Sequence, residues 1–164
     1  MTGRQRELNL RFLAEPTDVN YGGKVHGGIV MKWIDQAGYA AAVGWSGHYS
    51  VTVAVGGIRF VAPIRTSDLV TVSTKLVYTG TSSMHFAVDV NARDPMGGRD
   101  RLCTHCVIVF VALDEGGKPV AVTPLKQDTE EDRRLAEYAL KVMELSKGIE
   151  QTVERYREAD AAND

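Results

Sequence analysis

Residues 21–43 read YGGKVHGGIVMKWIDQAGYAAAV, a glycine-rich loop followed by a segment that is apolar at nearly every position. The pattern predicts a helix over residues 27–43 that Gly44 ends. Its only charged residues are Lys32 and Asp35, and a helix without a polar face belongs inside a protein. We therefore expect Asp35 to be buried, and to be either satisfied by neighbouring groups or used in chemistry with a shifted pKa.

Gly28 and Asp35 share one side of this helix, because seven residues at 3.6 per turn return to the same face about 10 Å further along. The helix N-terminus offers unpaired N–H groups and the positive end of the helix dipole, and Gly27 and Gly28 let a ligand approach the backbone. A carbonyl oxygen would bind there, and Asp35 could act on the carbonyl carbon or on a water beside it. The arrangement is typical of acyl-transfer hydrolysis.

The composition indicates one domain of ordinary size. The chain has 164 residues, of which 44% are apolar, so it can bury a substantial core. A net charge of -2 and a pI near 6.1 give no field that would attract nucleic acid. No apolar run approaches the ~18 residues of a membrane span, and no signal-like segment follows the N-terminus. We expect a cytoplasmic protein that binds neither nucleic acid nor membranes.

Alternating apolar residues predict five strands around the helix. They cover residues 8–12, 50–61, 69–79, 82–93 and 102–113. One strand, one helix and four consecutive strands give an α+β fold with a mostly antiparallel sheet. One sheet leaves other sides of the helix uncovered, so we expect a second copy of the chain to cover them. Gly56 and Gly57 predict a bulge in their strand or the close approach of a ligand.

The C-terminal part predicts one long helix. Thr129 and Asp132 have the spacing of a capping box, and an apolar stripe with roughly heptad spacing continues to about residue 158. The stripe suits packing on the chain's own sheet or a role in subunit contacts, and the sequence leaves both open. We divide the chain into a domain over residues 1–128, this helix over 129–158 and a disordered tail over 159–164.

Cys103 and Cys106 form a CxxC pair with His105 between them, which suggests zinc or redox chemistry. The surrounding residues 102–113 are typical of a strand, in which positions i and i+3 point to opposite faces. Two thiols on opposite faces cannot share a metal. We therefore expect two buried small apolar residues and no metal site.

Two motifs resemble those of a known family. They are DVNYGGKVHGG at residues 18–28 and MKWIDQAG at 31–38, and the likeness extends over residues 55–63, 80–84 and 110–119. The chain resembles the hotdog-fold acyl-CoA thioesterases. Within them, it is similar to the branch of bacterial short- and medium-chain acyl-CoA thioesterases and vertebrate cytosolic acyl-CoA hydrolases.

The resemblance implies hydrolysis of acyl-CoA to free acid and CoA, with no metal and no cofactor beyond the CoA of the substrate. The family's catalytic asparagine and acidic residue correspond to Asn20 and Asp35, at sites shared between two subunits. Asp35 would be a general base or a nucleophile, and the sequence leaves both open. The backbone N–H of Gly27 or Gly28 would hold the oxyanion. We expect a homodimer with shared active sites, assembled as a trimer of dimers.

Other positions are candidates for substrate binding. Arg59 stands where relatives often have asparagine, and with Arg65 it is a candidate for the CoA phosphates, although an exposed structural arginine is an equal interpretation. Thr81, Ser82 and Ser83 match a family segment that lines the CoA tunnel. A hydroxyl there would hold the pantetheine amide or water, but corner residues need no ligand.

His26 is expected to stabilise the loop or contact the substrate carbonyl, because Asp35 lies too far up the helix to pair with it. Asp18 is a turn residue by its position beside Pro16. A hotdog hydratase is the alternative enzyme, since Asp18 and Asn20 followed by a histidine resemble the hydratase motif, but the proline is absent and the histidine is displaced. A non-catalytic acyl-CoA sensor is the third hypothesis.

Overall fold

The computed structural model describes residues 4–162, which form one antiparallel sheet and two long helices. The elements are β1 (Glu7–Leu13), α1 (Gly27–Ser46), β2 (Ser50–Phe60), β3 (Leu69–Thr79), β4 (Ser83–Arg93), β5 (Arg101–Ala112) and α2 (Glu130–Ala161), with a 3-10 turn at Pro16–Asp18. The strand order is β1-β3-β4-β5-β2, so β1 and β2 are the edges. The predicted α+β fold with five antiparallel strands is confirmed.

The inner face of the sheet packs against α1 and forms the main core. Ile34 of α1 and the sheet residues Phe86 and Phe110 are almost completely buried there. Gly38 marks the closest approach of helix and sheet, because a Cβ at this position would lie 2.6 Å from Cε2 of Phe110. The helix can therefore sit low on β5 only while position 38 has no side chain.

Helix α1 is longer than the sequence predicts. It passes through Gly44 and ends at Ser46. The C-cap residue Gly47 has a φ of 71°, in the left-handed region, and its N–H donates to the carbonyl of Val43 at 2.8 Å. Trp45 explains the extra turn, since its ring is buried and its Nε1 donates to the carbonyl of Thr123 at 2.9 Å. Tertiary packing overrides the low helix propensity of Gly44.

One face of α1 is exposed in the single chain. Gly28, Lys32, Asp35, Gln36 and Tyr39 all lie on it. The prediction of a helix buried on every side is therefore wrong for one chain, because its own sheet covers only the opposite face. The open face agrees with the expected need for a second copy of the chain.

Helix α2 begins at the predicted capping box. The Asp132 N–H donates to Oγ1 of Thr129 at 3.0 Å, and the Thr129 N–H donates to Oδ2 of Asp132 at 3.1 Å. Arg6 also donates to Asp132, at 2.5 Å. This bond is the main reason why the pKa of the Asp132 carboxyl is lowered to about 2. The contact ties the start of α2 to the segment before β1.

The first half of α2 lies on the outer face of the sheet, where Ala139 packs against Val77 and Val107. The second half extends past the sheet, and every residue from 147 to 162 is exposed. The helix continues through Ala161, so the predicted disorder is wrong as far as that residue, while residues 163 and 164 lie outside the described part of the chain. Neither long helix among the described residues is apolar enough over a sufficient length to cross a membrane.

Cys103 and Cys106 are free thiols buried in the same core, as small apolar residues would be. The prediction that they point to opposite faces is wrong, because the pairing of β4 with β5 shifts register between Val90 and Asn91 and leaves Cys103 between paired residues. Burial raises the pKa of the Cys106 thiol to about 12. Across residues 4–162, no group of three or more His, Cys, Asp or Glu side chains could hold a metal ion.

Candidate active site

Asn20 shapes the loop that leads into α1. Its Oδ1 accepts hydrogen bonds from the N–H groups of Gly22, at 3.0 Å, and Lys24, at 3.2 Å. Its own backbone N–H donates to the carbonyl of Lys24 at 2.8 Å. Because the side-chain oxygen is engaged in the loop, the amide nitrogen is the group that Asn20 can offer to a ligand.

The N-terminus of α1 presents the N–H groups of Gly27 and Gly28 without helical partners, since the first turn of a helix has no preceding carbonyls. His26 is the N-cap residue, and its carbonyl accepts from Ile29 at 3.0 Å and Val30 at 3.2 Å. The His26 side chain is exposed and makes no capping bond within the described part of the chain. The positive end of the helix dipole at this point favours an oxyanion.

A cavity of about 450 Å³ joins Asn20 to this helix N-terminus. It is lined by Asn20, Lys24, Val25, Gly27, Val30 and residues 60–64. The Phe60 ring lies against Gly27, because a Cβ at position 27 would be 3.4 Å from Cζ of the ring. The structure therefore brings together two of the predicted catalytic elements, the asparagine amide and the helix N-terminus.

Asp35 lies outside this cavity, on the exposed face of α1. Eight residues of helix separate it from Gly27, about 12 Å at 1.5 Å per residue. The expectation of a buried Asp35 is wrong for the single chain, and the partner that satisfies it is Thr52 of β2, whose hydroxyl donates to Oδ1 of Asp35. The carboxylate and the helix N-terminus share one side of α1, as the spacing predicts, but they are far apart.

Thr52 is the residue near Asp35 that sequence reasoning missed. It is a polar residue in a strand that packs beside an apolar helix, and that contrast is the signal that could have found it. Ser83 lies at the same end of the sheet, because it is opposite Val111, which in turn is opposite Val51. The 81–83 corner is therefore close in the sheet to the Asp35 end and not to the cavity.

The two arginines that are candidates for binding the CoA phosphates lie in different parts of the structure. Arg65 forms an antiparallel bridge with Lys24, so both basic residues lie beside the cavity. Arg59 lies opposite His105, which is on the outer face of the sheet. Phe60, its neighbour in sequence, lines the cavity from the other face. Arg59 therefore does not lie beside this cavity in the single chain, and its contact with a CoA phosphate stays a prediction.

Gly56 and Gly57 sit at the predicted irregularity, since the pairing of β2 with β5 shifts register between Gly56 and Arg59. The close approach at this point is made by α2. A Cβ on Gly56 would lie 2.7 Å from Oγ of Ser146 and 2.9 Å from Cγ1 of Val142. The glycine pair thus makes room for a helix, and the reason for placing substrate here no longer holds.

The Thr81–Ser83 corner is held by backbone bonds. The carbonyl of Thr81 accepts from Val122 at 2.9 Å and that of Ser82 from Ala112 at 3.0 Å. We still predict that a hydroxyl of this corner holds the pantetheine amide or a water molecule.

Asp18 is a turn residue, as its position predicts. Its carboxylate accepts a hydrogen bond from the Glu15 N–H at 2.8 Å. This bond engages the acid that a hydratase would need.

Known proteins have a similar sequence. Residues 22–98 match the thioesterase superfamily. The acyl-CoA thioester hydrolase YciA of Salmonella typhimurium is 35% identical over 119 residues, which cover 70% of this chain and 89% of that protein.

Solved structures are similar over a greater length. The acyl-CoA hydrolase of Staphylococcus aureus, solved with butyryl coenzyme A, coenzyme A and coenzyme A disulfide, has a TM-score of 0.82 at 26% identity and covers 95% of each chain. A hexameric acyl-CoA thioesterase without ligand has a TM-score of 0.81 at 29% identity, covering 87% of this chain and 92% of that one. These likenesses confirm the hotdog fold.

The Staphylococcus aureus hydrolase has also been solved as three variants, in which an asparagine, an aspartate or a threonine is replaced by alanine. The asparagine and aspartate are fifteen residues apart and the aspartate and threonine seventeen apart. Asn20, Asp35 and Thr52 have the same residue types at the same two spacings.

Proposed function

Because this chain belongs to the thioesterase superfamily, among its acyl-CoA thioester hydrolases, we propose that it hydrolyses acyl-CoA at sites built from two copies of the chain. The observation that carries the proposal is that the predicted catalytic groups lie at two separate places in the single chain. Asn20 and the α1 N-terminus line a cavity beside Phe60, whereas Asp35 is held by Thr52 near the other end of β2. A reacting carbonyl must lie about 3 Å from both sets of groups, and about 12 Å of helix separates them.

A two-fold axis that pairs the edge strand β2 with itself removes this separation. Such pairing is antiparallel. In the register that we propose, with Gly56 at the axis, Thr52 of one copy lies beside Phe60 of the other. The partner's Asp35 then faces the cavity that holds Asn20. Val53 and Phe60 of this edge strand are each more than half exposed. Pairing of the strand would therefore cover apolar surface as well as unpaired backbone groups.

The proposed chemistry uses the chain's own groups and water. The thioester carbonyl accepts hydrogen bonds from the α1 N-terminus and the Asn20 amide, which stabilise negative charge on its oxygen. Asp35 then takes a proton from a water that attacks the carbonyl carbon, or attacks it directly to give an anhydride that water cleaves. In both routes the C–S bond breaks, and free acid and CoA leave. Thr52 fixes the orientation of Asp35.

The substrate and assembly follow from the relatives. The Staphylococcus aureus structure with butyryl coenzyme A supports an acyl-CoA substrate, and the matching spacing of Asn20, Asp35 and Thr52 supports their roles. The hexameric thioesterase supports a trimer of such dimers. Lys24 and Arg65, side by side at the cavity, are the basic residues best placed for CoA phosphates.

Two measurements test the proposal. Release of free thiol from acyl-CoA esters between acetyl and palmitoyl establishes the reaction and its chain-length preference, and no release from any ester contradicts it. Refolding an equal mixture of Asn20→Ala and Asp35→Ala chains, each first assayed alone for its residual activity, tests the shared site. About half of the dimers would be mixed with one intact site in two, so roughly a quarter of wild-type activity should return. No recovery, with mixed dimers verified by mass spectrometry, would place both residues in one chain's site.

A further inference from the structure

We propose that Tyr138, His105 and Asp89 form a second reactive centre, at which the Tyr138 hydroxyl accepts an acyl group from an aryl ester. The three residues belong to α2, β5 and β4, and they meet on the face of the sheet that α2 covers. The centre lies within one chain. It depends neither on the proposed dimer nor on the hydrolysis of acyl-CoA.

The hydrogen bonds of this cluster run in one direction. An ionised carboxylate can only accept, so the bond of 2.5 Å between Oδ1 of Asp89 and Nδ1 of His105 requires a proton on Nδ1. The neutral imidazole then has its lone pair on Nε2, which accepts the bond of 2.6 Å from the Tyr138 hydroxyl. The phenol therefore donates to a base whose tautomer is fixed by an acid. This is the order of nucleophile, base and orienting group that serves acyl transfer in hydrolases.

The sheet and α2 hold the three groups in place. Asp89 and His105 lie directly opposite one another in the pairing of β4 with β5, where opposed side chains are in contact range. The Tyr138 ring lies against the imidazole, with ring centroids 5.7 Å apart. Leu135 and Ala139, its neighbours on α2, pack against the sheet and fix the helix at this point. The cluster is thus preorganised by regular secondary structure.

A cavity of about 390 Å³ opens onto the cluster, and all three of its side chains line the cavity. Leu135 and Ala87 give this cavity an apolar side, against which an aromatic leaving group can lie. Lys75 also lines it, at 3.5 Å from Glu7 and 3.7 Å from Glu131. Its ammonium group supplies positive charge for the carbonyl oxygen of an ester.

The chemistry of the phenol selects the substrate class. Burial and the charge of Asp89 raise the pKa of Tyr138, so the phenol is protonated at neutral pH and reacts only when His105 removes its proton. The phenolic oxygen then bonds to the acyl carbon and the bond from that carbon to the leaving oxygen breaks. His105 returns the proton to the leaving group, which gives acyl-Tyr138 and a free alcohol. The transfer is favourable when this alcohol is more acidic than tyrosine, whose ordinary pKa is about 10. Esters of acidic phenols meet that condition, and alkyl esters do not.

Acetylation by p-nitrophenyl acetate tests the proposal in the full-length protein. The chain carries Asp35→Asn, so that the proposed acyl-CoA site does not consume the ester, and mass spectrometry measures the acetyl group on each tyrosine over time. Tyr156, on the same helix, is the internal control, because no hydrogen bond joins it to a histidine within residues 4–162. We expect Tyr138 to be acetylated about 10²-fold faster than Tyr156, the lower end of what a positioned base supplies. Exposure alone predicts the reverse, since Tyr138 is 40% and Tyr156 74% exposed. Acetylation of Tyr156 at an equal or higher rate overturns the proposal.

Two conservative variants test the base. His105→Gln keeps an acceptor for the phenol but removes the imidazole. Asp89→Asn keeps the shape of the carboxyl group, but its amide can donate to Nδ1 and so move the proton to Nε2, where it leaves no base for the phenol. Each variant should lower the acetylation rate of Tyr138 to that of Tyr156, with an unchanged circular dichroism spectrum. A rate that stays at the starting value in either folded variant refutes the role of the base. If a variant does not fold, the ratio of Tyr138 to Tyr156 in the Asp35→Asn chain decides the outcome.

Discussion

The hydroxyl of Thr52 donates a hydrogen bond to Oδ1 of Asp35 and so joins edge strand β2 to the open face of α1. We expect Thr52→Val to lower kcat by on the order of tenfold, a part of the 10²–10⁴ that a positioned base supplies, with little change in KM. The reason is that the carboxylate loses its orientation and keeps its charge. Thr52→Ser, which keeps the hydroxyl, is the control and should remain close to wild type. Equal losses in both variants would contradict a role through the hydrogen bond.

Replacing Asp35 by asparagine should keep the fold and the oligomer and remove most activity, by about 10²-fold or more. The amide has almost the shape of the carboxylate but can act neither as base nor as nucleophile. Thiol release from acyl-CoA and size-exclusion chromatography measure the two effects. Full turnover in a folded Asp35→Asn protein would leave Asp35 a structural partner of Thr52. Asn20→Ala should cost less if Asn20 only orients the carbonyl or the water.

The strands could be predicted from the sequence because the alternation of apolar and polar residues along a strand reflects which of its faces is buried. All five strands lie within two residues of their expected bounds, and β3 has the predicted range, residues 69–79. The Thr129 capping box was predictable for the same reason, since its two bonds join residues three apart. Local physical chemistry, readable from neighbouring residues, decides these elements.

The rest depends on contacts between distant segments. Gly44 does not end α1 because Trp45 packs and bonds to Thr123, far away in sequence. Gly56 receives α2, which begins more than seventy residues later. Asp35 lies on an exposed face of α1 because the sheet packs against only the opposite face of this helix, and in the proposed dimer a second copy would cover it. No periodicity in the sequence contains these relationships.

Arg65→Gln should raise KM for acyl-CoA about 3- to 10-fold and leave kcat almost unchanged, because a phosphate contact at the mouth of the cavity is remote from the reacting carbonyl. Arg59→Gln is the matched control, since Arg59 lies on the outer face opposite His105. Steady-state kinetics at low ionic strength gives both constants. A larger KM effect at Arg59 than at Arg65 would show that the phosphates lie on the outer face.

Two glycines of α1 should respond in opposite directions to alanine. Gly38→Ala should lower the free energy of unfolding by about 1–3 kcal/mol, because its Cβ would lie 2.6 Å from the Phe110 ring in a packed core. Gly44→Ala should raise it by about 0.5–1 kcal/mol, since none of the surrounding atoms of residues 4–162 lies within 4 Å of that Cβ and alanine favours the helix. Urea denaturation of both variants measures the pair. A stabilised Gly38→Ala protein would contradict the close approach of α1 to β5.

His85 should make the protein less stable as the pH falls below about 6.5, the ordinary pKa of histidine. The side chain is 8% exposed, its Nδ1 has no hydrogen-bond partner among the described residues, and burial lowers its pKa in the folded protein. Above pH 6.5 the imidazole is neutral in both states and stability does not depend on it. Below that value the unfolded chain binds a proton that the folded chain does not, so the free energy of unfolding falls by up to about 1.4 kcal/mol per pH unit.

The decline ends once the pH passes below the lowered pKa of the folded state, where both states are protonated. His85→Gln removes the titrating group and keeps a polar side chain beside Tyr78. The ring centroids of Tyr78 and His85 are 5.1 Å apart. Urea denaturation at pH 8, 7, 6 and 5 should therefore show the stability difference between wild type and variant shrinking towards acid pH. Groups common to both proteins cancel in that difference, including Asp132, whose low pKa acts only in stronger acid. A difference that stays constant from pH 8 to pH 5 would mean that His85 takes up its proton as readily in the folded chain as in the unfolded one.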